Sequence, residues 1–161
     1  LVLLNNLFKL NLTHEILLKY AKLLGSDCAF FLFNTFSHVS NTGDLVNPIS
    51  YTFKKYNIVI IKPDIMCSTS HIFSCLKIKK NSTSLLLDDS GFLDLNNLTN
   101  DLESVAFSLY PHLKEIKDYF NDLGAVYVSM TGSGSAIYGL FNTKPDIKKY
   151  SKHWVWEGEL G

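Results

Sequence analysis

The chain has 161 residues, of which 47% are hydrophobic, and its 15 basic residues balance its 15 acidic ones. This composition is typical of one or two compact units and excludes a disordered chain. The zero net charge argues against a duplex nucleic-acid binder, because such proteins carry a clustered basic excess. No apolar run approaches the roughly 20 residues that cross a bilayer. We therefore expect neither a nucleic acid nor a membrane as a partner.

The three cysteines, Cys28, Cys67 and Cys75, are scattered and form no CxxC pair. This pattern is typical of reduced thiols in a reducing compartment, and it predicts no metal site. The chain begins on Leu1 without the positively charged start of a signal peptide. Because residues 1–8 are already apolar at helical spacing, we expect the sequence to be a piece of a protein that begins upstream.

The first third of the chain predicts two helices followed by short strands. Residues 1–8 indicate the end of one helix, and a clearer helix follows from an N-cap at Thr13 to Gly25. We expect Gly25 in the left-handed conformation that ends many helices. The predicted apolar stripe of this helix consists of Leu17, Tyr20, Ala21 and Leu24. The predicted strands cover 29–33, 36–40 and 49–53, with a turn at 41–44.

The rest of the chain begins at the basic pair 54–55, the predicted boundary between domains 1–55 and 56–161. A strand at 57–61 and a helix at 70–76 precede a predicted loop at 77–98. Asn100 and Glu103 have the spacing of a capping box. The predicted elements after it are helices to Leu109 and Leu123, strands at 125–130 and 136–141, a helix at 145–151 and a buried strand at 154–156. This order predicts an α+β fold, an antiparallel sheet with helices on one face.

A glycine-rich loop, Thr131-Gly132-Ser133-Gly134-Ser135, separates two of these strands. Its small residues let an anion approach the backbone N–H groups, which predicts a phosphate-binding nest. No Lys-Ser/Thr follows at Walker spacing, and the third glycine of a dinucleotide fingerprint is missing. A plain hairpin turn explains the local pattern equally well.

Two further places have the residue types of a kinase site. Asp27 follows a helix and precedes an apolar run, so its carboxylate is either a turn former or a group that orients a substrate hydroxyl. Thr69 and Phe73 are four residues apart and share one face of a helix. They fit a hydroxyl and a ring that hold a nucleobase, or simply a cap and a core aromatic.

Taken together and in this order, the segments resemble the GHMP kinases. Residues 25–31 are similar to the family's Gly-Ala-Asp-Val-Pro-Phe-Phe, and 42–44 to its Gly-x-Gly-Glu turn. Residues 62–69 are similar to its Pro-x-x-x-x-Ser-Thr stretch, and 100–103 to its Asn-Asp-Leu-Glu. Residues 130–136 resemble Met-Ser-Gly-Ser-Gly-Ser, the third motif of the family. Ala29 in place of Pro and Asn41 in place of Gly are departures that can shift the turn.

The resemblance implies a GHMP kinase fold, with the end of an N-terminal domain followed by a ferredoxin-like C-terminal domain. It implies ATP- and Mg²⁺-dependent phosphorylation of the 2-hydroxyl of 4-diphosphocytidyl-2-C-methyl-D-erythritol, in the non-mevalonate route to isoprenoids. Asp27 would then be the catalytic residue, and Thr69 and Phe73 would bind cytidine. Gly132, Ser133 and Gly134 would form the phosphate-region loop.

The family's catalytic Lys and its Gly-Gly-Gly-Ser-Ser loop have no counterpart in this sequence. We therefore expect the 161-residue chain alone to be inactive and the complete protein to carry the activity. Two alternatives stay open: another GHMP kinase, such as a mevalonate or homoserine kinase, and a non-catalytic ferredoxin-like binding module. The expected compartment is bacterial cytoplasm or plastid stroma, and the expected state is a monomer or homodimer.

Overall fold

The computed structural model describes residues 1–43, 45–49, 54–76, 95 and 98–160. These residues belong to two compact units, Leu1–Tyr51 and Thr52–Gly161. The mixture of helices with antiparallel strands confirms the predicted α+β class. The assignment of domains 1–55 and 56–161 to the two halves of a kinase stays a prediction. In the described part of the chain, no helix is long and apolar enough to cross a membrane.

The first unit is built from short helices and one hairpin. Its elements are α1 (Val2–Leu7), α2 (His14–Leu24), a 3₁₀ turn (Ser26–Ala29), α3 (Phe30–Phe33), β1 (Ser37–Ser40) and β2 (Leu45–Pro48). Thr13 caps α2 as predicted, since its hydroxyl accepts a hydrogen bond from the Ile16 N–H. β1 and β2 pair in antiparallel fashion around the turn predicted at 41–44, of which 41–43 are described.

Three predictions for the first unit are wrong. Residues 29–33 are helical instead of a strand, because an apolar run of five residues has no periodicity that separates the two. Gly25 has a φ of 170° and is extended, so the chain leaves α2 without a left-handed residue. Only Leu17 and Ala21 of the predicted stripe are buried, whereas Tyr20 and Leu24 are 48% and 69% exposed.

β2 was not predicted, and of the strand predicted at 49–53 only Ile49 is described. β2 ends at Pro48, and Ile49 lies outside it. Residues 50–53 lie outside the described residues, as does most of the loop predicted at 77–98.

The second unit is a four-stranded antiparallel sheet with helices packed on one face. Its elements are β3 (Tyr56–Lys62), α4 (Thr69–Cys75), α5 (Glu103–Leu109), α6 (Pro111–Asp122), β4 (Tyr127–Met130), β5 (Ile137–Phe141) and β6 (Trp154–Leu160). The strand order is β4-β5-β3-β6, so β4 and β6 are the edges of this sheet. The register sets Ile61 between Ile137 and Val155.

The core lies between this sheet and the three helices. α6 contributes Leu113, Ile116 and Phe120, which recur at three- and four-residue spacing and are fully buried. Pro111 stands at the first position of α6, where its missing N–H removes no helical bond. The predicted helices after Glu103 and strands after Gly124 are therefore confirmed, with slightly different ends.

The C-terminal segment differs from its prediction in two ways. No helix forms at 145–151: residues 145–148 have no regular structure and 149–151 lie in a turn. Tyr150 buries its ring against Tyr119 at 5.1 Å between ring centroids. The strand predicted at 154–156 exists and extends to Leu160, but it is an edge strand with exposed indoles at Trp154 and Trp156. Trp154 and Trp156 pair with Lys62 and Ile60, so both indoles lie on the sheet face opposite the buried Ile61, which explains this exposure.

Gly139 in β5 provides a test of how tightly this core is packed. A Cβ at this position would lie 2.9 Å from the Phe141 ring and 3.1 Å from the Phe120 ring. Because both rings are buried, we expect Gly139→Ala to lower the free energy of unfolding by about 1–3 kcal/mol. Urea unfolding of the chain, followed by circular dichroism, measures this change.

Gly158→Ala in β6 is the matched control. There the added Cβ would meet the Trp156 ring at its outer edge, and that indole is 44% exposed and can swing into solvent. We expect a smaller loss than for Gly139→Ala. An equal loss in both variants, or stabilisation by Gly139→Ala, would contradict the close packing described here.

Candidate active site

The glycine loop (131–135) joins β4 to β5 and has a fixed backbone path. The Thr131 N–H donates to the Ala136 carbonyl at 2.9 Å, and the Gly134 N–H donates to the Thr131 carbonyl at 2.8 Å. Both glycines have positive φ, +52° at Gly132 and +91° at Gly134, a conformation that other residues adopt rarely. The Gly134 N–H thus already donates a hydrogen bond within the loop. Only the other N–H groups of the loop are left for the predicted phosphate-binding nest.

The surroundings of the two glycines differ. A Cβ on Gly134 would lie 2.9 Å from the Met130 sulfur and 3.2 Å from the Cys67 sulfur, so a side chain has no room there. A Cβ on Gly132 would have no heavy atom within 4 Å. Gly132 therefore presents an open backbone surface that a phosphate group can approach, whereas Gly134 is where the loop packs onto its own unit.

The helix predicted at 70–76 is confirmed as α4, and it lies beside the glycine loop. Its N-cap is Ser68, whose hydroxyl accepts a hydrogen bond from the His71 N–H at 3.4 Å. The Thr69 and Ser133 hydroxyls are 2.8 Å apart and share a hydrogen bond. The structure thus brings together two of the segments that the sequence singled out, and they are 64 residues apart in the chain.

Phe73 lies one turn beyond Thr69 on α4 and is 56% exposed. The intervening Ile72 is fully buried and anchors the helix in the core. The alternative that Phe73 is a core aromatic is therefore wrong. This exposed ring, one helical turn from Thr69, is available for stacking against a flat ligand.

Asp27 lies in the 3₁₀ turn of the first unit, and it is exposed. We predicted a corner between a helix and a strand, but the turn connects α2 to α3. The Cys28 N–H donates to the Gly25 carbonyl at 3.1 Å, which closes this turn around Asp27. Its catalytic role stays a prediction.

The capping box predicted at Asn100 and Glu103 is wrong. The N-cap of α5 is Leu102, and no side chain caps it. Asn100 and Glu103 instead direct their side chains to β4 and the glycine loop, where they contact Met130. Sequence reasoning missed this role because a spacing of three residues at a helix start is the usual signal of a cap.

Glu103 is the most enclosed carboxylate of this region, with 14% of its side chain exposed. It accepts hydrogen bonds from the Met130 N–H at 2.7 Å and the Ser129 hydroxyl at 3.1 Å, and it pairs with Lys117 at 2.6 Å. Burial, the neighbouring Tyr127 and the charge of Glu103 raise the pKa of Tyr138 above its usual range.

Cys67 allows a direct test of the packing under Gly134. Burial raises the pKa of its thiol, and the positive charge of Lys62 partly offsets this rise. In a Cys28→Ser/Cys75→Ser background, we expect alkylation by iodoacetamide to reach half its maximal rate above the pH of about 8.5 typical of free cysteine. The midpoint lies at higher pH because only the thiolate reacts with iodoacetamide. A thiol with a raised pKa forms its thiolate at higher pH.

Lys62→Met is the matched control for this measurement. Removing the positive charge should move the alkylation midpoint further upward, since the charge stabilises the thiolate. A midpoint at or below that of a short cysteine peptide would contradict the packing of Cys67 against the loop.

Comparison with known proteins gives consistent results. Residues 83–154 match the family model for the C-terminal region of GHMP kinases. A 4-diphosphocytidyl-2-C-methyl-D-erythritol kinase of Bacteroides fragilis is 38% identical over 151 residues, which are 92% of this chain and 55% of that protein. The enzyme of the same name from Azobacteroides pseudotrichonymphae is 41% identical over 144 residues, 88% of this chain and 54% of the relative.

A solved structure is similar over almost the whole chain. The crystal structure of a 4-(cytidine 5'-diphospho)-2C-methyl-D-erythritol kinase superposes with a TM-score of 0.75 and 24% identity, covering 99% of this chain and 61% of that one. This likeness supports the fold. The chain spans about half the length of the curated relatives it matches.

Proposed function

Because this chain belongs to the GHMP kinase family, we propose that the complete protein that contains it transfers the γ-phosphoryl group of ATP to the 2-hydroxyl of 4-diphosphocytidyl-2-C-methyl-D-erythritol. One observation carries the proposal. The hydrogen bond between Thr69 and Ser133 joins the helix expected to bind cytidine to the loop expected at the phosphates. A nucleotide substrate needs these two surfaces next to each other.

In this proposal each residue has a chemical role. The open backbone at Gly132 and Ser133 donates N–H groups to anionic phosphate oxygens. Phe73 stacks on the cytosine ring, and the Thr69 hydroxyl hydrogen-bonds to the nucleoside. Asp27 accepts the proton of the attacking hydroxyl as the new O–P bond forms and the β–γ bond of ATP breaks, with ADP as the leaving group.

The family also implies Mg²⁺, which would neutralise charge on the phosphates of ATP. Across the described residues, no group of three Asp, Glu, His or Cys side chains is arranged to hold a metal ion. No protein ligand of Mg²⁺ is therefore assigned in this chain, and no step depends on one. We further propose a bacterial cytoplasm or plastid stroma as the compartment, because the substrate belongs to the non-mevalonate pathway.

Asp27→Asn tests the catalytic role in the complete protein. Losing the proton acceptor should lower kcat by about 10²- to 10⁴-fold with little change in thermal stability. Asp64→Asn is the matched control, since Asp64 is also exposed and the change in charge is the same. Near-normal turnover of the Asp27 variant, measured by ADP release, would refute the role.

Phe73→Ala tests the nucleotide side of the site. Loss of a stacking partner should raise KM for the cytidine substrate by about tenfold and leave KM for ATP unchanged. Met66→Ala, at an exposed apolar residue of the same unit, controls for surface changes. Turnover of mevalonate or homoserine in place of the cytidine substrate would show a different GHMP kinase. Absence of any ATP turnover by the native protein would favour a binding module.

A further inference from the structure

We propose that Asn100 and Glu103 are positioning residues that hold the glycine loop in the shape that accepts a phosphate. Their contacts converge on Met130, the last residue of β4. Glu103 accepts from the Met130 N–H at 2.7 Å, and the Asn100 amide donates to the Met130 carbonyl at 2.9 Å. The effect on catalysis rests on the proposed function, whereas the effect on the loop does not.

The position of β4 explains why side chains make these contacts. β4 is an edge strand of its sheet, and one row of its backbone N–H and C=O groups has no neighbouring strand. Met130 lies opposite Ile137 in β5, and its own N–H and C=O point to the other side. Asn100 and Glu103 satisfy this outward pair, so the edge is closed at the residue where the glycine loop begins.

Asn100 uses its amide group in three hydrogen bonds. Its nitrogen donates to the carbonyls of Met130 at 2.9 Å and Gly132 at 2.8 Å, while its oxygen accepts from the Leu102 N–H at 3.0 Å. Among side chains of this length, only asparagine offers two donors and an acceptor from one neutral group. Two carbonyl oxygens that converge on one point would repel each other without such a donor.

The contact with Gly132 sets the direction of the next N–H group. In a trans peptide the C=O and the following N–H point in opposite directions. The Met130 carbonyl demonstrates the rule, because it faces Asn100 while the Thr131 N–H faces the Ala136 carbonyl on the other side. By the same geometry, the Ser133 N–H points away from Asn100, because Asn100 holds the Gly132 carbonyl. A donor fixed before the ligand arrives needs no reorganisation during the reaction.

Glu103 fixes the N–H group of Met130 on the same outward side of β4. Its carboxylate is largely withdrawn from water and receives donors from Met130, Ser129 and Lys117. Hydrogen bonds to a charged group are short and strong, so they resist displacement of β4 relative to α5. Lys117 belongs to α6, and the ion pair therefore connects the strand end to a helix that is itself anchored in the core.

The variant Asn100→Asp tests whether Asn100 holds the glycine loop in particular or supports the whole unit. The substituted side chain keeps the acceptor for the Leu102 N–H but loses both donors to the loop carbonyls. In the ligand-free protein, we expect the Thr131 and Gly134 amides to exchange with deuterium about tenfold faster, while amides of β3 and α6 keep their protection. In the complete enzyme, kcat should fall about tenfold or more with unchanged KM for the cytidine substrate.

Asn121→Asp is the matched control, the same change of charge at an exposed position near the end of α6. It should leave both exchange and kinetics at wild-type values. Glu103→Gln is the second variant. It keeps the shape of the side chain but loses the charge that pairs with Lys117, and it should loosen the same loop amides.

The outcomes are distinguishable. Wild-type loop exchange in Asn100→Asp and Glu103→Gln would overturn the proposal. A uniform rise in exchange across the whole sheet would also overturn it, because the residues would then be general structural supports. If the wild-type protein phosphorylates nothing, the proposed function fails, yet the exchange measurement still decides whether Asn100 and Glu103 hold the loop.

Discussion

The Glu103 carboxylate holds the end of β4, where the glycine loop begins. It joins the start of α5, the end of β4 and the middle of α6 through Met130, Ser129 and Lys117. The glycine loop starts one residue after this junction, so its position follows from the same contacts.

Next to this junction, four contacts support the loop. Asn100 holds the Gly132 carbonyl, Gly134 packs against the sulfur atoms of Met130 and Cys67, and Ser133 shares a hydrogen bond with Thr69. The fourth contact is the buried Ser135 hydroxyl, which donates to the Pro63 carbonyl at 3.5 Å. The open side of the loop is at Gly132, and this is where the proposed phosphate contact lies.

The sequence predicted those elements whose pattern is long and repeated. α2, α6 and β3 follow from caps, helical spacing and a β-branched run, and the glycine loop follows from its composition. The short apolar run 29–33 was assigned as a strand and is helical, since five residues show no period. The contacts of Asn100 and Glu103 with β4 and the glycine loop span 26 to 32 residues, and no local spacing predicts them. The same holds for Thr69 and Ser133, which the motifs named separately and only the fold brings together.

The most direct test of the account is a map of where the substrate binds on the second unit. Backbone amide chemical shifts of the complete protein would be recorded while 4-diphosphocytidyl-2-C-methyl-D-erythritol is added. The account predicts that the largest changes occur at Thr69, Phe73, Gly132 and Ser133, with little change at the edge strand β6. Saturable changes that leave α4 and the glycine loop unaffected would contradict it.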